Sequence, residues 1–251
     1  MNSKKIFFSI ITPVLNEPQI KKTFISLKKQ NFKNFEHIVI DGGSEKKTLS
    51  IIRKNKKYIS KLIIDKDDGI YDAINKGIKI SKGEVIGILN ADDYYYKDTL
   101  SIAHRYFKNN KIDYLFGSVV KERLMHGFWP NKIWYKFNIY PAHSCGFFVK
   151  KKLHNKIGLY DTKFKYSSDR DFIFKMIKRK FVGMNSKKYE IFGKFNPYGI
   201  SSKLGFFKGF KEEIRVRLNN QNMLFVILLS FITLLYVFLN FFFKKKMKIA
   251  I

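Results

Sequence analysis

The chain has 251 residues and 45% apolar content, enough for one to two domains at roughly 150 residues each and for a real core, which excludes a disordered protein. Its single cysteine, Cys145, excludes an internal disulfide and a Cys-x-x-Cys zinc site, so the fold stands on packing. The net charge is +29, but five alanines beside 26 Phe and 14 Tyr mark A+T-rich coding, so part of this basicity is background rather than a polyanion-binding patch.

Residues Met1 to Ser9 contain no long apolar run followed by a small-residue cleavage site, so no secretory signal is expected and the bulk of the chain belongs in the cytosol. Short β-branched runs then alternate with amphipathic segments, the rhythm of βαβ units in a parallel sheet. Phe7 to Thr12 reads as the first strand, and Ile20, Phe24 and Leu27 as one stripe of a helix. His37 to Ile40 is the second strand, ending in the turn Asp41-Gly42-Gly43-Ser44. A basic helix from about Glu45 to Asn55 and a strand from Lys61 to Ile64 follow. The next helix runs from about Gly69 to Ile80, with Ile70, Ile74 and Ile78 on one face, and a fourth strand from Glu84 to Leu89 runs into Asn90-Ala91-Asp92-Asp93. Ligands of open parallel sheets bind outside the carboxyl ends of strands, so these polar strand ends are the places for chemistry.

Beyond them the pattern predicts a helix from about Asp98 to Phe107 and a strand from Tyr114 to Val119. An aromatic-lined loop from Lys121 to Tyr140 precedes a strand from Cys145 to Val149 and a helix from about Asp169 to Lys180. Met223 to Phe243 is 21 uncharged residues, and at about 1.5 Å per residue it reaches roughly 30 Å, the thickness of a bilayer core. Lys244-Lys245-Lys246 follows it as an interfacial anchor would. Four cations precede it (Lys208, Lys211, Arg215, Arg217) and four follow (Lys244, Lys245, Lys246, Lys248), so charge sets no orientation, and a spanning and a re-entrant helix both stay open.

The adjacent carboxylates Asp92 and Asp93 suit a hard divalent cation that also clamps a diphosphate, or a solvated turn. Asp41 suits a hydrogen bond from a base imide or a ribose hydroxyl, or a helix cap. Neither a Gly-x-Gly-x-x-Gly fingerprint nor a P-loop occurs, which counts against dinucleotide dehydrogenases and P-loop phosphotransferases.

Four segments in order, Ser9-Ile-Ile-Thr-Pro-Val-Leu-Asn-Glu17, Ile38-Val-Ile-Asp-Gly-Gly-Ser44, Asp67-Asp-Gly-Ile-Tyr-Asp-Ala-Ile-Asn-Lys-Gly77 and Gly87-Ile-Leu-Asn-Ala-Asp-Asp93, resemble glycosyltransferase family 2. The resemblance covers about residues 6 to 203 and is densest before residue 94; it is greatest to the bacterial subgroup that builds capsule, colanic-acid-like exopolysaccharide or lipopolysaccharide. It implies an α/β GT-A (nucleotide-diphospho-sugar transferase) fold, a mainly parallel central sheet flanked by helices, here with a C-terminal hydrophobic helix. The expected organisation is a GT-A domain over 1–203, a basic juxtamembrane helix over 204–222, a membrane-inserted helix over 223–243 and a basic tail over 244–251.

By the same resemblance, Thr12, Pro13 and Glu17 line a nucleoside pocket, Asp41 pairs with the base, and Asp67, Asn75 and Lys76 flank the diphosphate. Asp93 is the expected ligand of Mg²⁺ or Mn²⁺, with Asp92 on the ribose or sharing the metal; Asn90 stands where many relatives have Asp. Ser167-Ser-Asp-Arg-Asp-Phe172 places Asp169 at the general base, with Asp171 as its rival and helix capping as the structural alternative. His143, in Pro141-Ala-His-Ser-Cys-Gly-Phe-Phe148, matches a position near acceptor or diphosphate.

The expectation is an inverting transferase that takes a sugar from a nucleotide-diphosphate donor, with UDP the expected nucleotide, to a hydroxyl of a growing lipid-linked surface glycan. It would work at the cytoplasmic side of the plasma membrane, with no nucleic-acid partner, and the sequence sets no oligomeric state. The alternatives are a sugar-phosphate nucleotidyltransferase, whose Gly-rich loop is missing, and a basic membrane-tethered binding protein without catalysis.

Overall fold

The structure is a computed structural model and describes residues 5–135, 144–197, 199 and 205–249. Phe8–Val14 (β1) is buried at all seven positions, as a strand covered on both faces must be. Its alternation splits two core layers: Phe8 and Ile10 pack on one side of the sheet and Ile11 on the other. Helix α1 (Ile20–Lys28) buries the predicted Ile20, Phe24 and Leu27. Next come β2 (Phe35–Asp41), α2 (Lys46–Lys54), β3 (Lys61–Ile64), α3 (Ile70–Ile80) and β4 (Val85–Ile88). Gly77 lets α3 lie close on β1, because a methyl there would meet Ile11 Cγ2 at 2.5 Å.

The rest comprises β5 (Tyr94–Tyr95), α4 (Thr99–Asn109), β6 (Tyr114–Phe116), β7 (Ser118–Val120), β8 (Leu124–Met125), β9 (Phe147–Lys150), α5 (Lys151–Ile157), α6 (Ser168–Lys178), β10 (Gly183–Asn185), β11 (Ile191–Lys194), α7 (Phe206–Asn220) and α8 (Met223–Ile249). The main sheet has the order β10-β6-β9-β4-β1-β2-β3, and β5-β11-β7-β8 form a second. β1, β2, β3 and β4 run parallel, whereas β9 is antiparallel to β4 and β6, so the main sheet is mainly rather than wholly parallel.

Two expectations are corrected. The single strand expected over Tyr114–Val119 breaks at Gly117, where any Cβ would lie 2.2 Å from the Phe192 ring; β6 stays in the main sheet and β7 enters the second. The strand expected from Cys145 begins only at Phe147, after a 3₁₀ turn over Ser144–Gly146. Within the expected aromatic loop, β8 and a 3₁₀ turn over Pro130–Trp134 are ordered, and residues 136–140 lie outside the described part.

Helix α7, within the expected basic juxtamembrane segment, turns its acidic and amide side chains and Arg217 inward, toward α6 and the segment before it. Glu213 pairs with Arg170 and, at 3.0 Å, with Arg217, whose side chain is fully buried. Glu212 accepts the Tyr166 N–H at 3.0 Å, and Asn219 and Asn220 both donate to Asp171 Oδ1, at 2.8 and 2.7 Å. Lys208, Lys211 and Arg215 remain exposed, but Arg217 does not face solvent. In α8, Met223–Asn240 has mean hydropathy 2.5 and only 6% of it is buried against the rest of the chain.

Glu213→Ala would leave Arg170 and Arg217 buried without their carboxylate; removing one partner of a buried pair predicts a loss of about 3 kcal/mol, measured by denaturant unfolding. His154 of α5 stacks on Phe172 at 4.6 Å, and burial pushes its pKa from 6.5 down to about 4. A depressed histidine contributes stability that is whole above pH 6.5 and fades as pH falls toward 4, about 3 kcal/mol in all. Melting temperature against pH should therefore drop across that window, and His154→Phe should flatten the drop, leaving the part due to His37, which burial pushes down to about 3.

Candidate active site

The carboxyl ends of β2, β1 and β4 lie side by side, so Asp41, the Leu15–Glu17 turn and the Asn90–Asp93 loop occupy one edge of the sheet. At β2, Asp41 is fully buried, and its two oxygens do different things. Oδ1 accepts the N–H groups of Gly43 (2.9 Å) and Ser44 (2.7 Å), forming the turn; Oδ2 is buried with no hydrogen-bond partner among the described residues. A buried acceptor without a donor costs about 1–3 kcal/mol, more for a charged group, which is the mark of a place where a ligand N–H or O–H belongs. The turn and ligand roles expected of Asp41 are thus compatible, one oxygen for each.

One residue given no role from the sequence braces this pocket. Asn16 adopts φ 51° in the turn after β1, donates its N–H to Ser44 Oγ at 2.8 Å and accepts the Glu45 N–H at Oδ1, also at 2.8 Å. Asparagine tolerates this left-handed conformation, and an Asn two residues after a strand is the signal which marks it. Thr12 turns inward, its Oγ1 3.0 Å from His37 Nε2, and Pro13 is buried; neither presents an exposed side chain. Glu17 accepts the Gln19 N–H at 2.9 Å and fastens the start of α1.

Across the pocket, Asp67 lies against Gly42, where an added methyl would fall 2.3 Å from Asp67 Oδ2. Burial raises the Asp67 pKa, opposed by the Gly69 N–H and by Lys76 and reinforced by the charges of Asp72 and Asp41. Gly69, at φ 117°, turns the chain into α3 while its N–H donates to Asp67 Oδ1 at 3.0 Å. The other expected diphosphate residues are committed elsewhere. Asn75 uses both ends of its amide on the Tyr160 backbone (2.8 and 3.0 Å), and Lys76 bonds Asp65 (2.9 Å) and the Lys66 carbonyl (2.7 Å).

At β4, Asp93 is only 1% exposed and its Oδ1 accepts the Asn196 N–H at 3.0 Å, tying the loop to the segment after β11. Asp92 is the less buried of the pair and faces Gly199, where an added methyl would sit 3.6 Å from Asp92 Oδ2. Asn90 donates to Ser144 Oγ at 3.1 Å, and its own Oδ1 is buried without a partner among the described residues. Among the described residues no group of three or more His, Cys, Asp or Glu converges, so no cage built from protein side chains alone exists there. The donor set of Asp92, Asp93 and the Asn90 carbonyl fits Mg²⁺ or Mn²⁺ completed by phosphate oxygens, since these ions use one or two carboxylates with substrate. Of the two carboxylates Asp92 is the more exposed and Asp93 the more enclosed.

Asp169 stands in the first turn of α6, partly exposed, and its Oδ1 accepts the Tyr71 hydroxyl and the Arg170 N–H, both at 2.9 Å. Burial, with the Asp169 charge beside it, raises the Tyr71 pKa well above its ordinary value, so the phenol remains a donor. Asp171, its rival, is placed differently: it is 1% exposed, Oδ1 takes Asn219 and Asn220, and Oδ2 takes Lys175 at 2.6 Å. Tyr71 lies four residues after Asp67, so one segment touches both the Asp41 pocket and Asp169. His143 lies outside the described residues, directly before Ser144, the partner of Asn90.

This geometry has counterparts among known proteins. A PGL/p-HBAD biosynthesis glycosyltransferase of Mycobacterium bovis is 31% identical over 175 residues, covering 66% of this chain and 67% of that protein. An uncharacterized glycosyltransferase of Rickettsia typhi is 30% identical over 197 residues, 70% of this chain and 60% of that one. In three dimensions the chain is similar to S. aureus TarS 1-349 in complex with UDP-GlcNAc, with TM-score 0.68 and 19% identity over 89% of this chain and 70% of that one. It is also similar to the mannosyltransferase PcManGT of Pyrobaculum calidifontis in complex with GDP-Man and Mn²⁺, with TM-score 0.61 and 17% identity over 85% and 62%. These two likenesses show the GT-A fold. The family model described as glycosyl transferase family 2 matches residues 9–198, and the chain belongs to that family of glycosyltransferases.

Proposed function

We propose that this glycosyltransferase takes a sugar from a nucleoside-diphosphate donor, with UDP the favoured nucleotide, to a hydroxyl of a lipid-linked surface glycan at the cytoplasmic face of the plasma membrane. The observation that carries this reading is the Tyr71–Asp169 hydrogen bond, which joins the donor-side segment to the first turn of α6 across 98 residues of sequence. Family membership removes the two alternatives weighed from the sequence, a nucleotidyltransferase and a non-catalytic binding protein.

In this reading Asp41 Oδ2, unpartnered among the described residues, accepts the imide N–H of the base, and Asp67 lies beside it toward the ribose. Asp92, with Asp93 and Asn90 behind it, would hold the divalent cation. When bound, that ion supplies positive charge to the departing diphosphate. Asp169 takes the proton of the acceptor hydroxyl as that oxygen attacks the anomeric carbon from the face opposite the diphosphate, so the sugar inverts. Tyr71 holds the carboxylate in place while Oδ2, which makes no hydrogen bond among the described residues, is left for the acceptor.

Membrane anchoring is supported by α8, in which Met223–Asn240 is strongly apolar and only 6% buried among the described residues. Three polar side chains in this span bond within the helix, as lipid favours: Ser230 bonds the Val226 carbonyl (2.7 Å), Thr233 that of Leu229 (2.8 Å) and Asn240 that of Tyr236 (3.0 Å). A helix fixed in the bilayer next to the domain suits an acceptor that is itself lipid-linked.

With a panel of nucleotide sugars, Asp169→Asn should lower kcat by about 10³-fold or more while donor affinity is kept, and Asp171→Asn should lower stability instead. Tyr71→Phe should lower kcat about tenfold with the donor KM unchanged. Asp92→Asn should weaken Mn²⁺-dependent nucleoside-diphosphate binding more than Asp93→Asn does at equal fraction folded, measured by calorimetry. Equal activity of wild type and Asp169→Asn would refute the assignment of the base.

A further inference from the structure

Both tryptophans of the chain, Trp129 and Trp134, stand at the ends of one 3₁₀ turn over Pro130–Trp134 and face in different directions. Ile133 is buried, and Trp134 packs its ring edge-on to Phe174 of α6 at 5.6 Å. Trp129 is 62% exposed and Tyr135 is 51% exposed. Lys132 places its ammonium 5.2 Å from the centre of the Trp129 ring. Two large exposed aromatic rings, one of them with a cation over its face, do not serve the core.

What holds the turn is the junction of α7 and α8. Arg217 donates to the carbonyls of Ile133 (3.1 Å) and Trp134 (3.4 Å), and Gln221 Nε2 donates to that of Trp134 at 2.7 Å. Gln221 is also bonded by Arg217, at 3.0 Å, so the clamp is closed. The next residue, Asn222, accepts the Leu224 N–H at 2.9 Å, and Met223 begins α8. The turn is thus bonded two residues before the apolar helix starts. With a 3₁₀ rise of about 2 Å per residue, Trp129 lies within about 10 Å of that bond.

The geometry points to a second membrane contact: the Trp129–Tyr135 turn is an interfacial anchor seated in the headgroup layer of an anionic phospholipid bilayer beside the start of α8. This rests on the proposed insertion of α8, and continuity with that helix is what commits the surface to lipid. Tryptophan and tyrosine concentrate where hydrocarbon meets water because their rings are apolar and their N–H and O–H groups stay wet, and the lysine beside Trp129 complements lipid phosphate. Because the turn is clamped to α7 and Trp134 packs on α6, the contact also fixes the rotation of the catalytic domain about α8, which a single helix cannot do.

Full-length Trp134→Phe, in which Trp129 is the sole tryptophan, should be reconstituted into phosphatidylethanolamine/phosphatidylglycerol vesicles with acyl chains brominated near the headgroup end. Trp129 emission should fall about twofold or more relative to unbrominated vesicles, and aqueous acrylamide should quench it less than in detergent-free denaturant. Trp129→Phe, which alters only an exposed ring, reports Trp134 and should be quenched less. If the chain floats with vesicles while Trp129 is insensitive to bromine, the anchor is overturned and the insertion of α8 stands; shielding from acrylamide without bromine quenching would mean that protein covers the turn, and also overturns it. Failure to float overturns both readings.

Discussion

The arrangement depends on the first turn of α6 being held from two sides. Three successive residues there point three ways, as the roughly 100° step of a helix requires: Asp169 to Tyr71 of α3, Arg170 to Glu213 of α7, and Asp171 to Asn219 and Asn220 at the end of α7. Each of these contacts is buried or partly buried and involves a charge, so each is expensive to leave unmade. A carboxylate in a fixed position with one oxygen uncommitted is what proton abstraction needs, and the Arg170–Glu213–Arg217 cluster provides the rigid side of that mount. The same cluster, through Arg217 and Gln221, reaches the start of α8, so the proposed base and the proposed membrane helix belong to one continuous packed unit.

The donor side is built differently, from backbone turns at strand ends rather than from a helix. Asp41 Oδ1 closes its turn on Gly43 and Ser44, Asn16 and Ser44 tie the β1 and β2 turns together, and Asp67 presses on Gly42, so the second Asp41 oxygen is left buried without a donor among the described residues. Burial and neighbouring carboxylates raise Asp67, which marks this pocket as a place where negative charge is crowded before any ligand arrives.

Much of this was legible in the sequence, and the parts that were not have physical reasons. The helix stripe Ile20, Phe24, Leu27 and the strands that run into Asp41 and Asn90 followed from periodicity, because those elements are covered on known faces by neighbours close in sequence. The break of one strand into β6 and β7 did not, since it is imposed by Phe192, 75 residues after Gly117. The inward charges of α7 were hidden for the same reason: Arg217 and Glu213 look like a solvated basic helix until Arg170 and the Trp134 carbonyl are brought to them. Motifs named the carboxylates of the site but not their division of labour. Which of Asp92 and Asp93 is the more enclosed, and that Asn75 is spent on Tyr160, depend on contacts with residues 85 to 103 positions away.

The central claim is that Asp41, Asp92 and Asp169 serve a single bound donor at the carboxyl edge of β2, β1 and β4. Its most direct test is a crystal structure of the chain with UDP and Mn²⁺, read by the anomalous signal of the metal. The account predicts the uracil imide on Asp41 Oδ2, manganese on Asp92, and the β-phosphate turned toward the Asp169 side of the cleft. Nucleotide density away from this edge, or manganese bound with neither Asp92 nor Asp93 among its ligands, would contradict it.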